Sequence, residues 1–448
     1  METEIKVAFL FLVRHLFAIM TAKSFLKQQY SLHNERNSIG RIRHGIIAFD
    51  MTQFSTSHPR ELPEFAFHVT HASQEAGVAG RCGILTLPHA IVETPVFMPV
   101  GTQATVKAMT FEELRDLGFG LILGNTYHLH LRPGERLITE AGGLHRFQGW
   151  DGALLTDSGG YQVFSLAGLR RIGQDGVQFQ SHIDGSKHEF TPESVMQIER
   201  DLGADIVMAF DECAPYPCTP EYAAEAMERT HRWAERCKIY YDDSGRRASN
   251  GWHQALYGIV QGGVYKELRE QSANTLVALN FPGYAIGGLA VGEDAAARNE
   301  TIAWTTPFLP ADKPRSLMGV GTPVDILDAV QRGIDQFDCV LPTRNARTAQ
   351  IFTSRGVVNM RNAKHKEDFS PIDSDCDCRA CQRHSRAYLR HLFQANEILA
   401  ARLATYHNLA FYARLMENIR VSLKSGNFTA FRNAFIQNYQ QSKIEETE

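Results

Sequence analysis

Three aspartates stand where short apolar runs give way to polar or glycine-rich residues. They are Asp157 in Thr156-Asp157-Ser158-Gly159-Gly160, Asp211 in Phe210-Asp211-Glu212-Cys213, and Asp338 in Phe337-Asp338-Cys339. Carboxylates gathered in one site suit glycosyl chemistry, in which one attacks or stabilises the anomeric carbon and another moves the proton of the leaving group. Any one of them alone could simply cap the following helix, but three with glycine neighbours point to a shared site. Gly159, Gly160, Gly262, Gly263, Gly287, Gly288 and Gly319 leave bare backbone N–H and C=O groups nearby, which fits a flat, hydrogen-bonding ligand such as a nucleobase. No G-x-x-x-x-G-K-[ST] loop is present, so a phosphate cradle of that kind is excluded.

Cys376-x-Cys378-x-x-Cys381 sets three thiolates at metal spacing and asks for a fourth ligand to close a tetrahedral, structural zinc site. His384, His391 and His407 are the candidates, and spacing alone does not choose among them. His407 follows a helical stretch from Ser385 to Thr405 that could fold back over the cysteines. Arg344 and Arg347 lie just beyond Asp338 and are candidates for a phosphate or ribose contact. The basic residues continue with Arg355, Arg361, Lys364 and Lys366. Arg379, Arg383, Arg386 and Arg390 read better as a solvated face.

The elements that must carry these residues repeat. Apolar runs at Pro95–Val100, Leu121–Gly124, Ala153–Thr156, Asp205–Phe210, Leu256–Val260, Tyr284–Gly287, Ser316–Val320 and Phe337–Leu341 alternate with helical stretches such as Pro220 to Tyr241. Thr322-Pro323 supplies a cap and first position for another, Val324 to Phe337. Eight such repeats predict a closed, eight-stranded β/α (TIM) barrel, whose active site sits at the carboxyl ends of its strands. The alternation of Phe65, Phe67 and Val69 with Cys82, Ile84, Thr86 and Ile91 predicts a small antiparallel sheet before it. The fold class expected is therefore α/β: an N-terminal antiparallel sheet, a barrel, and a C-terminal zinc-binding subdomain. We divide the chain into an N-terminal extension (1–50), the sheet (51–94), the barrel with the active site (95–345), the zinc subdomain (346–410) and a C-terminal helix and tail (411–448).

Composition bounds the rest. The 448 residues carry 46 Lys and Arg against 50 Asp and Glu, a formal charge of −4, so a nucleic-acid partner would have to be met by a local basic patch. With 44% hydrophobic and 21% charged residues, extensive disorder is excluded. Eight unevenly spaced cysteines argue against a disulfide framework and for a reducing, cytoplasmic location. The apolar stretch Val7 to Met20 is broken by Arg14 and His15 and makes a poor signal peptide. Met51 is a candidate for the true start, a reading that detection of residues 1–50 in the native protein by mass spectrometry would refute.

The motifs Thr156 to Phe164, Phe210 to Cys213, Gly287-Gly288-Leu289-Ala290-Val291-Gly292-Glu293 and Phe337 to Arg344 together resemble the bacterial type of tRNA-guanine transglycosylase (queuine tRNA-ribosyltransferase). Met98 to Thr102, Leu123 to His128 and the cysteine cluster agree, and the resemblance runs from about Phe65 to Ile419. It implies exchange of the wobble guanine of G-U-N anticodon tRNAs (Asp, Asn, His, Tyr) for a 7-deazaguanine, in queuosine biosynthesis. Asp338 would be the nucleophile toward the ribose anomeric carbon, and Asp157 the general acid and base. Asp211 would read the purine amide edge, and Gln261 and Gly288 its carbonyl. The Leu289 carbonyl would meet an aminomethyl substituent, and Tyr161 and Met318 would sandwich the ring. Ser158 and Cys213 complete the pocket.

Cys213 and Val291 match the bacterial members, which points to 7-aminomethyl-7-deazaguanine as the base. The resemblance also implies that Cys376, Cys378, Cys381 and His407 hold the zinc in an inserted C-terminal zinc-binding subdomain, that tRNA is the partner, and that the chain forms a homodimer. A barrel glycoside hydrolase and a catalytically silent tRNA-binding subunit are the rival readings.

Overall fold

The computed structural model describes residues 64–165 and 170–440, so the expectation about residues 1–50 lies outside the described residues. Eight parallel strands form one sheet, and each of the eight apolar runs supplies one of them: Val96–Pro99, Leu121–Asn125, Ala153–Asp157, Ile206–Met208, Ala255–Val260, Gly283–Ile286, Arg315–Leu317 and Gln336–Cys339. The first strand pairs with the eighth and meets the second through the parallel bridge Val100 to Leu123, which closes the barrel. Strands buried on both faces read as continuous apolar runs, and alternation appears only in which layer each side chain joins. Val96, Met98, Leu121, Leu123, Ala153, Leu155, Ile206, Met208, Tyr257 and Ile259 fill the interior. Phe97, Ile122, Leu154, Val207, Leu256, Ile286 and Phe337 face the surrounding helices.

The predicted antiparallel sheet is present as Ala66–Ala72, Arg81–Thr86 and Ile91–Thr94. It leads directly into the first barrel strand, and Leu85, Leu87 and Val92 pack with the interior layer, so it closes the barrel at the end opposite the strand C-termini. Arg81 fixes it there, donating to both carboxylate oxygens of Asp335 at 2.9 and 2.7 Å. At the same end Asp205 is fully buried and accepts from the Leu154 N–H at 2.8 Å. Burial pushes its pKa up, but contacts with His145 (3.1 Å) and His89 (2.7 Å) outweigh this and hold it well below the usual carboxylate range. The two imidazole rings stack 3.6 Å apart.

Two predicted helices end earlier than their apolar patterns suggest. The helix after Thr322 spans Pro323–Gln331, with the Thr322 hydroxyl accepting from the Asp325 N–H, but it stops well before Phe337. Gly333 at φ 89° turns the chain, and the last strand needs Gln336 onward. The stretch Ser385 to Thr405 is broken into the helix Arg386–Gln394 and the start of Ile398–Lys424, because Asn396 adopts φ 55° between them. The second of these runs unbroken through residue 410, where the sequence had suggested a boundary. Among the described residues no helix is long and apolar enough to cross a membrane.

Candidate active site

The carboxyl ends of the barrel strands surround a cavity of about 380 Å³. Asp157, Ser158, Tyr161, Asp211, Cys213, Gln261, Gly288, Leu289, Val291, Met318, Asp338 and Arg344 all line it. The three aspartates thus converge from the third, fourth and eighth strands.

Asp157 ends the third strand with both carboxylate oxygens hydrogen-bonded. Oδ1 accepts from the Thr126 and Gly159 N–H groups at 2.9 and 3.2 Å, and Oδ2 from the side-chain amides of Asn125 at 2.5 Å and Gln162 at 2.9 Å. Burial nevertheless raises its pKa against these four donors. The turn that follows requires glycine: Gly159 sits at φ 75°, and a Cβ there would come 3.0 Å from the Phe190 ring. A Cβ at Gly160 would lie 2.7 Å from the Asp211 carbonyl oxygen, so the absent side chain lets the third and fourth strand ends approach each other.

Asp211 accepts from Ser158 Oγ at 3.0 Å and from Gln261 Nε2 at 2.7 Å. Burial lifts its pKa to about 6, and the charge of Asp157 adds to the rise. Gln261 is held by that contact, which leaves its Oε1 buried beside Gly288 without a partner among the described residues. Asp338 keeps some solvent access and accepts one hydrogen bond, from the Gly319 N–H at 3.3 Å. Burial, with Asp157 nearby, brings its pKa to about 7. The Cys213 thiol, pushed up to about 12 by burial and by Asp211, stays protonated. Tyr161 exposes its ring at the mouth, 54% accessible, whereas Met318 is half-buried against the barrel interior.

Several functional neighbours went unread in the sequence. Gln162 and Thr126 hold Asp157, and Glu293 accepts from the Ala290 and Val291 N–H groups at 2.6 and 3.0 Å. An acid two residues beyond a Gly-Gly-Leu-Ala-Val run was the available signal for Glu293. Of the two arginines expected to meet a phosphate or ribose, Arg344 lines the pocket and Arg347 does not. It lies half-buried one helical turn on, where its Nη1 donates to the Thr343 carbonyl at 2.7 Å. Most of the other basic residues are spoken for as well: Arg361 donates to Phe393 O, Arg386 to Ile372 O, and Arg390 to Asn362 O.

Away from the pocket, Cys376, Cys378, Cys381 and His407 bring their ligand atoms within 4.8 Å of one another, all buried. His407 Nδ1 lies 3.2 Å from Cys381 Sγ and 3.6 Å from Cys378 Sγ. Tetrahedral zinc with ordinary Zn–S and Zn–N bonds sets such edges at roughly 3.6 Å. The Nε2–H donates to the Phe352 carbonyl at 2.8 Å, which fixes the tautomer and turns the Nδ1 lone pair toward the thiolates. This donor set fits a closed structural zinc site. Of the other histidines, His384 stacks on Tyr388 and His391 is exposed.

Residues 76–441 match the family model described as queuine tRNA-ribosyltransferase. A protein of that name from Caldanaerobacter subterraneus subsp. tengcongensis is 58% identical over 372 residues, covering 83% of this chain and 97% of that protein. The one from Pelotomaculum thermopropionicum is 56% identical over 375 residues, 84% of this chain and 99% of its own length. A third, from Thermoanaerobacter sp. (strain X514), is 57% identical over 359 residues, with 80% and 94% covered. Barrel, pocket and cysteine cluster thus occur together in a sequence that covers these relatives over nearly their whole length, and the chain belongs to the queuine tRNA-ribosyltransferase family.

Proposed function

We propose that this pocket exchanges the wobble guanine of G-U-N anticodon tRNAs (Asp, Asn, His, Tyr) for 7-aminomethyl-7-deazaguanine, through a covalent aspartyl–ribose intermediate. The chain is a pentosyltransferase, a tRNA-guanine transglycosylase of queuosine synthesis that acts on tRNA and a small base. The observation that carries the finer reading is the shared pocket of Asp157, Asp211 and Asp338, whose environments differ. Asp338 has a single weak hydrogen bond, so its free oxygen is available to attack C1′. As the C1′–N9 bond breaks, its electron pair goes to the departing guanine, and Asp157, whose pKa burial raises, supplies the proton. The incoming base gives its N9 proton back to Asp157 and displaces Asp338, restoring both groups.

Asp211 faces the same space with an acceptor suited to the N–H edge of a purine. Tyr161 and Met318 offer flat and soft surfaces for its faces. A trans peptide points its N–H and C=O in opposite directions. Glu293, by holding the Ala290 N–H, therefore turns the Leu289 carbonyl away from itself, an orientation suited to accept from a ligand ammonium group. Glu293→Gln keeps the shape but weakens that hold. The expected result is a rise of about tenfold in KM for the aminomethyl base with little change for guanine, since one charge-assisted contact is affected. Equal changes for both bases would refute the assignment. Zinc supplies no chemistry here and shapes the subdomain instead.

The test of the whole reading is release of labelled guanine from an unmodified G-U-N tRNA. Release should depend on added aminomethyl base. Asp338 attacks as the carboxylate while Asp157 carries the proton, so kcat/KM for tRNA should follow a bell-shaped pH profile, falling on the acid side as one proton too many is held and on the alkaline side as both groups ionise. No release, or a rate that does not change with pH on either side of neutrality, would sink it. Exposed Phe369, Tyr388, Ile398 and Leu399 support the homodimer reading, which a monomer mass in sedimentation would reject. No disulfide joins any of the eight cysteines among the described residues, which supports a reducing, cytoplasmic setting.

A further inference from the structure

Between the third barrel strand and the helix Pro192–Leu202 the chain inserts a three-stranded antiparallel sheet, Arg170–Ile172, Val177–Gln180 and Lys187–Phe190. An insertion after a strand's carboxyl end lies at the active-site end of a β/α barrel. Its inner face packs on the residues that frame the pocket. Phe179 lies 5.5 Å from Tyr127, next to the Thr126 N–H that holds Asp157, and Phe190 lies 6.1 Å from Phe210, next to Asp211.

The outer face is different in kind. Cross-strand register places Arg171, Gln178 and Glu189 in one row and Gln180 with Lys187 in the next, all five exposed. They border a shallow concavity of about 470 Å³. The one carboxylate in these rows, Glu189, accepts from Gln178 Nε2 at 3.1 Å. Neither Arg171 nor Lys187 has a hydrogen-bond or ion-pair partner among the described residues. Two strand spacings across and two residues along put these cations roughly 12 Å apart. That separation is too wide to chelate one phosphate and suits successive charges on a polyanion. Two unpaired cations flanking two neutral amides, on a chain of net charge −4, fit an RNA backbone better than a protein partner.

We propose that this outer face is a second contact surface for the substrate tRNA, with Arg171 and Lys187 holding backbone phosphates away from the wobble nucleotide. The proposal rests on the pocket being the site of base exchange, so its test includes a readout that needs no chemistry. Arg171→Glu with Lys187→Glu should raise KM for tRNA at least about tenfold while kcat and the KM for the small base stay within twofold. The slope of log tRNA affinity against log salt should flatten by about 1 to 2. Arg171→Gln with Lys187→Gln should show a smaller rise and the same flattening, and Arg171→Lys with Lys187→Arg should behave like the parent.

Filter binding of tRNA to an Asp338→Asn protein, with and without the two charge reversals, measures the surface alone. Weakened binding there supports the surface even if no exchange is seen in the parent enzyme, an outcome that would defeat only the pocket reading. Unchanged tRNA affinity and salt slope in folded variants would overturn the proposal. So would loss of dimer mass with tRNA affinity intact, which would make the face a contact between copies.

Discussion

Asp338→Asn is expected to lower base exchange by on the order of 10⁴-fold or more while leaving tRNA binding in place, because removing a covalent nucleophile leaves only binding and positioning. Denaturing gels should show a protein–RNA adduct in the parent and none in the variant. The effect is catalytic, and stability gives the control. Burial raises the folded-state pKa of Asp338 to about 7 from an ordinary value of 3.8, so the folded protein binds that proton more tightly than the unfolded chain does. Stability therefore falls as pH rises from about 4 to 7, and an asparagine lacks that loss. At pH 8 the variant should be more stable than the parent by about 2 kcal/mol, less than the full shift implies because the carboxylate keeps some solvent contact. An inactive variant that is also less stable would point to structural damage and away from the nucleophile. Full exchange in a folded variant would end the assignment.

The barrel was legible because parallel strands covered on both faces must be apolar throughout, and nothing else in the chain mimics eight such runs with helical spacers. The pocket was legible for a related reason: strand ends are where backbone geometry ceases to demand apolar residues, so Asp157, Asp211 and Asp338 stand out. Hydrogen-bond partners did not stand out. Thr126 contributes only its backbone N–H to Asp157, and Glu293 acts on two backbone amides, so neither role leaves a mark on residue type beyond a polar or acidic letter. The break between Arg386–Gln394 and Ile398–Lys424 was missed because Asn396 is tolerated in either setting and the apolar periodicity continues on both sides. Of the two nearby arginines, Arg344 lines the cavity while Arg347 turns one nitrogen back onto the Thr343 carbonyl, a difference that residue type alone does not encode.

Cys378→Ala should damage the protein in a different pattern. Structural zinc contributes folding free energy outright, and losing one of four buried ligands belongs with the mutations that cost more than about 4 kcal/mol. The consequence can be traced outward from the site. His407 joins the cluster to the strand Gln350–Thr353 through the Phe352 carbonyl. The adjacent Asn408 accepts from the Phe352 N–H at 3.0 Å and donates to the carbonyls of Pro342 and Gln350 at 3.0 and 3.1 Å. Pro342 opens the helix that carries Arg344 to the pocket rim, while Asp157 and Asp211 are anchored by strands on the far side of the barrel. Loss of the metal should therefore lower the melting temperature, strip zinc from the purified protein and raise KM for tRNA more than KM for the small base. Atomic absorption, thermal unfolding and the two KM values read these together. A zinc-free variant with unchanged melting and unchanged tRNA KM would show that the cluster does not support the segment bearing Arg344.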